Sequence, residues 1–205
     1  MTRADSATSA EPAADSGFRQ RLFDAMADAV RERGYKDTTV ADVVRHARTS
    51  RRTFYEHFAD KQDCFISLLT ERNNETIDQI YAAVDVTAAW DIQIHQAIEA
   101  WIGVSRIDTS ITLAWIRDTP ALGEAARQLH RDAAEAFIAL IQNLTATPEF
   151  QSAGLHPPTR QMATILFGGF RELIASTVED GRDITEIIDV AVETALALIG
   201  PRIRA

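Results

Sequence analysis

The stretch from Thr38 to Lys61, TTVADVVRHARTSRRTFYEHFADK, breaks into short pieces, and each piece opens on a side-chain oxygen. Thr39 stands three residues before Asp42, Ser50 three before Thr53, and Asp60 three before Asp63. That spacing suits a capping residue, whose oxygen accepts from first-turn amides that have no intrahelical partner. The pattern predicts a helix over residues 39–46, a turn of about three residues, a helix from Ser50 to about His57, and a further helix from Asp60. Helices this short do not stand alone in water, because nucleation costs more than so few hydrogen bonds return. They must pack on a neighbour, and the resulting three-helix unit is a helix-turn-helix candidate.

The neighbour precedes them. Phe18, Leu22, Met26 and Val30 recur every four residues, Ala25 and Ala29 widen the stripe, and Gly34 supplies a C-terminal stop. Phe54 and Phe58, four apart in the second short helix, would pin it to that core and turn Arg51, Arg52 and Tyr55 outward. From Arg45 to Lys61 five cations (Arg45, Arg48, Arg51, Arg52, Lys61) face two acids, a local net of +3 in a chain of formal charge -9. Hydroxyls, guanidinium groups and helix N-terminal amides are the donors that phosphate oxygens accept. A solvated amphipathic helix without a specific partner would have the same composition.

Beyond Asp60 the apolar period remains helical through Phe65 to Val84, Trp90 to Trp101, Ile111 to Ile116, Leu122 to Leu144, Met162 to Val178 and Ile184 to Ile199. Gly and Pro divide these segments at Pro120, Pro148, Gly154 with Pro157-Pro158, and Gly181. No segment alternates with period two between turn residues. The expected fold is all-α with about nine helices, a small N-terminal domain joined by a long helix to a larger C-terminal one.

The 205 residues, 46% hydrophobic and 25% charged, suit a soluble globular chain with one sizeable core or two small ones. No run of about eighteen apolar residues marks a membrane span. The first sixteen residues, MTRADSATSAEPAADS, lack the apolar core of an export signal and read as the disordered tail of a cytoplasmic protein. Cys64 is the single cysteine, which leaves no internal disulfide and no thiolate cluster. Charge is uneven: ten Lys/Arg against eight Asp/Glu give +2 over residues 17–65, the first sixteen carry -2, and residues 66–205 carry -9. A nucleic-acid partner is disfavoured by the total but not by the first third.

The segment over residues 159–177 is apolar on more than one face, with Gly168-Gly169 at its middle. The final segment, opened by Asp183 with Glu186 as a capping-box pair, is similarly broad. A helix packed only within its own domain needs one stripe. A four-helix dimer interface is therefore expected, with Ile165, Phe170 and Leu173 from one helix and Ile187, Ala191 and Ala195 from the other. A monomer with both helices central in its core is the alternative. Enzyme readings lack their residues: there is no His-Glu-x-x-His, no Glu-x-x-His and no phosphate-binding Gly loop, and Asp91 with His95 is a lone pair one turn apart. No catalytic residue, metal or cofactor is expected.

Residues 18–69, and most directly RLFDAMADAVRERGYKDTTVADVVRHARTSRRTFYEHFADKQDCF, resemble the DNA-binding domain of the TetR family of transcriptional regulators. The resemblance rests on Gly34-Tyr35, Thr38-Thr39-Val40, Ser50, Thr53-Phe54-Tyr55, His57-Phe58 and Lys61, and covers about a quarter of the chain. It implies that Thr39, Ser50, Tyr55, His57 and Lys61 hold phosphates, and that Thr53 lies near the backbone or a thymine methyl. Arg51 and Arg52, at the variable positions, are expected to read base edges, for which guanine O6 and N7 are the natural partners. His57 has a second reading, as a structural residue stapling the next helix. Arg48 stands where the family pattern places Gly; a β-carbon in the left-handed region costs about 1–2 kcal/mol, and Arg48 adds a cation near the expected path of the phosphates.

The resemblance also implies a division into the tail (1–16), a helix-turn-helix domain (17–62) and a ligand-binding and dimerisation domain (63–205). A homodimer on a palindromic double-stranded DNA operator follows, with a small apolar or amphipathic effector. Trp101, Trp115, Phe137 and Phe167 are expected to line the effector pocket. The implied function is a ligand-responsive transcriptional regulator, a repressor. Without the resemblance, an all-helical small-molecule-binding or protein-interaction module that does not touch DNA remains open.

Overall fold

The computed structural model describes residues 11–200, with side chains from Gly17. Among these residues there are ten α-helices and no strand, and no helix is long and apolar enough to cross a membrane. The chain forms two compact units that divide in sequence between Leu68 and Leu69. The division was expected between 62 and 63; the opening turns of the long helix α4 (Lys61–Ala83) instead belong to the first unit, because Cys64, Phe65 and Leu68 are buried.

The first unit is built on α1 (Glu11–Asp37), α2 (Val40–His46), α3 (Arg51–His57) and the start of α4. The helix begins at Glu11, so six residues of the expected tail are helical, while the rest of that expectation, residues 1–10, lies outside the described residues. Gly34 interrupts the helical backbone with φ 75° and ψ 159°, a conformation open to glycine because it has no β-carbon. Thr38, buried just beyond, donates its hydroxyl to Gly34 O at 2.8 Å. All three anticipated caps are present. Thr39 and Asp42 form a reciprocal capping box, Ser50 Oγ accepts from Thr53 N at 3.1 Å, and Asp60 Oδ1 accepts from Asp63 N at 2.8 Å. The stripe of Leu22, Met26, Ala29 and Val30 closes over Val43, Phe54, Phe58 and Phe65, all buried, with Tyr35 stacked on Phe65 at 4.2 Å.

The second unit contains α5 (Trp90–Ile107), α6 (Thr109–Arg117), α7 (Gly123–Leu144), α8 (Pro148–Ser152), α9 (Arg160–Glu179) and α10 (Ile188–Ile199). Single 3-10 turns at Thr119–Ala121 and Ile184–Ile187 precede α7 and α10. The helix α8 falls where the sequence suggested only a break at Pro148. It carries Phe150 into the main apolar cluster beside Ile94, Ile98, Ile102 and Ile174, and Phe150 meets Trp90 edge-on at 6.2 Å. Asp183 caps the last segment through Thr185 N at 2.9 Å, but Glu186 pairs with Arg182 rather than closing a capping box.

α9 is central: α6, α7 and α10 all pack against it. Much of its broad apolar surface is thereby covered within its own unit. Phe170, Ile187, Ala191 and Ala195 are members of the buried cluster and Leu173 packs against it, half-buried. Of the anticipated interface residues Ile165 alone is exposed, at 62%, and the adjoining Gly168 and Gly169 leave open space where a β-carbon would stand.

Candidate functional site

The seven-residue α3 is held to its unit by one side only. Phe54 and Phe58 are 0% and 1% exposed, their rings 5.7 Å apart, and Phe58 lies 5.7 Å from Phe23 of α1. The opposite side carries Arg51, Arg52 and Tyr55, all exposed, Tyr55 at 55%. Arg51 makes no ion pair among the described residues, whereas Arg52 Nε donates to Glu56 Oε1 at 3.2 Å with its side chain 90% exposed. An exposed pair of that kind contributes little and dissolves readily when a stronger anion arrives. Exposed guanidinium groups of this kind are donors suited to phosphate oxygens.

The remaining anticipated DNA contacts fall into two sorts. Arg48 is exposed beside α3 with φ 50°, the one positive-φ residue other than glycine among the described residues, so the backbone does adopt the glycine-type turn. Ser50, Thr53 and Thr39 spend part of their hydrogen-bonding capacity on structure. Ser50 Oγ and Thr53 Oγ1 lie 2.9 Å apart, and Thr39 Oγ1 donates to Asp42 Oδ2 at 2.6 Å. That bond, ahead of the smaller effects of Arg33 and Arg45, holds the Asp42 carboxyl below its ordinary range.

His57 and Lys61 have structural partners as well. The His57 ring stacks on Phe18 of α1 at 5.1 Å, which gives the structural role anticipated as its second reading a partner in the first helix. Lys61 Nζ donates to Tyr35 O at 3.0 Å and Lys36 O at 3.4 Å, and sits 4.3 Å from the Tyr35 ring centre. It thereby closes the C-terminal end of α1, and burial lowers its pKa. One ammonium hydrogen remains for another acceptor.

In the second unit, a cavity of about 70 Å³ opens between α5, α7, α9 and α10. Trp101 and Phe137, both anticipated, line it. Phe167 does not; it stacks behind them, 4.9 Å from Phe137 and 6.0 Å from Trp101. Trp115 is also outside the lining and faces His130, whose Nε2 is hydrogen-bonded to Thr119 Oγ1. Helical spacing identifies inward aromatic residues, but not which of them borders an unfilled space. A residue the sequence reading passed over, Gln93, lines the cavity too; its signal was a lone amide on the apolar stripe of Trp90, Ile94 and Trp101.

Two arginines of the second unit differ sharply. Arg117 of α6 clamps Glu172 and Glu179 of α9 with four hydrogen bonds of 2.7–2.8 Å, which holds both carboxyls below their ordinary range. Arg171 lies over the Phe167 ring at 5.3 Å, with Glu172 the acid that acts on its charge. His95, the one titratable partner considered for Asp91, instead approaches Glu99 at 3.3 Å. Among the described residues no group of three His, Cys, Asp or Glu side chains could hold a metal ion.

Residues 22–68 match the sequence family described as "Bacterial regulatory proteins, tetR family". No curated protein matches the sequence. Among solved structures, the fatty acid degradation regulator FadR from Bacillus halodurans is similar over 89% of this chain and 99% of its own, with a TM-score of 0.75 and 18% identity. FadR from Bacillus subtilis, in complex with stearoyl-CoA, is similar over 89% and 99%, with a TM-score of 0.74 and 17% identity. A tetR-family transcriptional regulator from Streptomyces coelicolor is similar over 89% and 80%, with a TM-score of 0.73 and 14% identity. Residues 22–68, which hold the helix-turn-helix unit, are thus similar to the tetR family of bacterial regulatory proteins, and the chain around them shares the fold of these solved structures.

Proposed function

We propose that the protein is a ligand-responsive transcriptional repressor that acts in the cytoplasm, binding a palindromic operator as a homodimer. The observation that carries this reading is the two-sided α3, with Phe54 and Phe58 buried and Arg51, Arg52 and Tyr55 projecting from the unit. In the proposed complex α3 lies in the major groove. Arg51 and Arg52 read base edges, while Tyr55, Ser50, Thr39 and Arg48 meet phosphates, with Thr53, His57 and Lys61 close behind.

The dimer contact is proposed on the uncovered side of α9, at Ile165, Gly168 and Gly169, continued by the exposed Val190 of α10. Leu173 would border it. Small residues there permit close approach of two helices. An apolar or amphipathic effector is proposed for the cavity lined by Trp101 and Phe137, and the stearoyl-CoA held by the similarly folded Bacillus subtilis FadR supports that class. An effector that outgrows the cavity of about 70 Å³ would part the surrounding helices. It thus binds one arrangement better than another, which is the condition for shifting a population. α4, whose residues belong to both units, is the proposed route to the reading head.

The test is fluorescence anisotropy of labelled duplexes with the full chain across a salt series. Binding should weaken steeply with salt, with a logarithmic slope of several units, and Arg51→Ala with Arg52→Ala should abolish preference among sequences. A folded protein that binds no duplex at low salt contradicts the reading and leaves the interaction-module alternative.

A further inference from the structure

Glu56 is the one acid of α3, and it stands on the side of that helix turned furthest from the core of its unit. Phe54 and Phe58, the two buried rings, lie two residues before it and two residues after it. At 3.6 residues per turn, two residues amount to about 200°, so Glu56 is set opposite both anchors. Its side chain is 54% exposed, and that of Arg52, one turn earlier, 90%. A negative group at the outermost line of a helix that meets a polyanion weakens the encounter, so contact with phosphates alone gives no reason for it.

The carboxylate is engaged with Arg52, whose Nε donates to Glu56 Oε1 at 3.2 Å while its two terminal nitrogens make no hydrogen bond among the described residues. Being exposed and one turn apart, the pair adds little to stability. Its consequence lies in the partner that Arg52 can take. With Nε occupied, Nη1 and Nη2 still form a fork, which suits the O6 and N7 acceptors of guanine. Guanine is uncharged and joins the pair without conflict. A phosphate at the same fork would set two negative groups around one guanidinium, and each repels the other.

We propose that Glu56 is the positioning residue for Arg52, and that it confines the Arg52 fork to a guanine edge by making phosphate a poor partner. The proposal rests on the reading of α3 as the element that enters the major groove. It assigns a share of the sequence preference to a residue that need touch no base.

The test measures anisotropy across a salt series for the full chain with two duplexes, one enriched from a randomised library by the wild-type protein and one of the same composition in scrambled order. The wild type is compared with Glu56→Gln, Arg52→Ala and the double variant. Glu56→Gln removes the charge and keeps the shape. It should bind the scrambled duplex about tenfold more tightly, the worth of one charge-assisted contact, with a salt slope steeper by about one unit as Arg52 turns to a phosphate. Its preference for the enriched duplex should fall about tenfold, and single base-pair changes in that duplex should place the loss at the position that Arg52→Ala relaxes. With Arg52→Ala already present, Glu56→Gln should alter neither slope nor preference. Three results overturn the Glu56 assignment and leave α3 standing as the reading element: an unchanged slope or preference in Glu56→Gln, an effect of equal size in the absence of Arg52, or a loss at a position that Arg52→Ala leaves alone, as expected of a carboxylate that itself accepts from cytosine N4. A wild-type protein that enriches no common sequence overturns both.

Discussion

Arg48 holds its backbone at φ 50°, where a β-carbon costs about 1–2 kcal/mol, and it holds there the cation that glycine would lack. Stability and DNA affinity therefore pull in opposite directions at this position. Arg48→Gly should raise the stability of the protein by about 0.5–1 kcal/mol, strain relief minus the extra chain entropy of glycine, as read by urea denaturation. The same variant should bind every duplex more weakly and lower the salt slope by about one unit. The cations around it separate by the company they keep. Arg51→Ala and Arg52→Ala should leave the melting temperature almost unchanged, because both side chains are exposed, and should each relax preference at one base-pair position by about 1–3 kcal/mol. Lys61→Ala should lower the melting temperature as well as the affinity, because its ammonium group closes the carbonyl end of α1 through Tyr35 O and Lys36 O. An unaltered melting temperature for the Lys61 variant would place that lysine with the arginines instead.

At the scale of single helices, α3 depends on two rings and α2 on a box. Phe54→Ala should destabilise the first unit by about 3–5 kcal/mol, since Phe54 is completely buried, and should release α3 although no DNA-facing residue is altered. In the box of α2, the Asp42 carboxyl titrates below its ordinary value of 3.8, first through its bond to Thr39. A carboxyl whose folded pKa is depressed stabilises the fold above its unfolded pKa and loses that contribution as the pH falls through the folded one. The gap in melting temperature between the wild type and Asp42→Ala should therefore be widest near neutral pH and close below about pH 4; a gap independent of pH would show that the carboxylate charge does no work there. These helix starts were legible because Thr39, Ser50 and Asp60 announce themselves by residue type, and the turn at Arg48 because the family pattern marks that position. α8 was not legible, as five residues between Thr147 and Ala153 show no period, and Phe150 is fixed by its partners in the cluster rather than by its neighbours in sequence. The breadth of α9 was visible, but sequence does not say which neighbour covers it; α6, α7 and α10 do so, and Phe170 became core. The cavity was equally hidden, because an unfilled space is a property of many side chains at once.

For the whole molecule, the proposed symmetry makes two units act as one reader. Ile165→Glu, on the uncovered side of α9, should convert a dimer to a monomer by light scattering without lowering helix content, and should weaken operator binding far more than it weakens contact with a single half-site. A protein that remains dimeric would move the interface elsewhere. The central claim, that α3 reads sequence in the major groove through Arg51 and Arg52 from both halves of a dimer, is tested most directly by selection of bound duplexes from a randomised library with the wild-type, Arg51→Ala and Arg52→Ala proteins. The expected result is an inverted repeat enriched by the wild type, with each variant losing preference at one symmetry-related pair of positions. Enrichment of no common sequence, or of the same sequence at full strength by both variants, would contradict it.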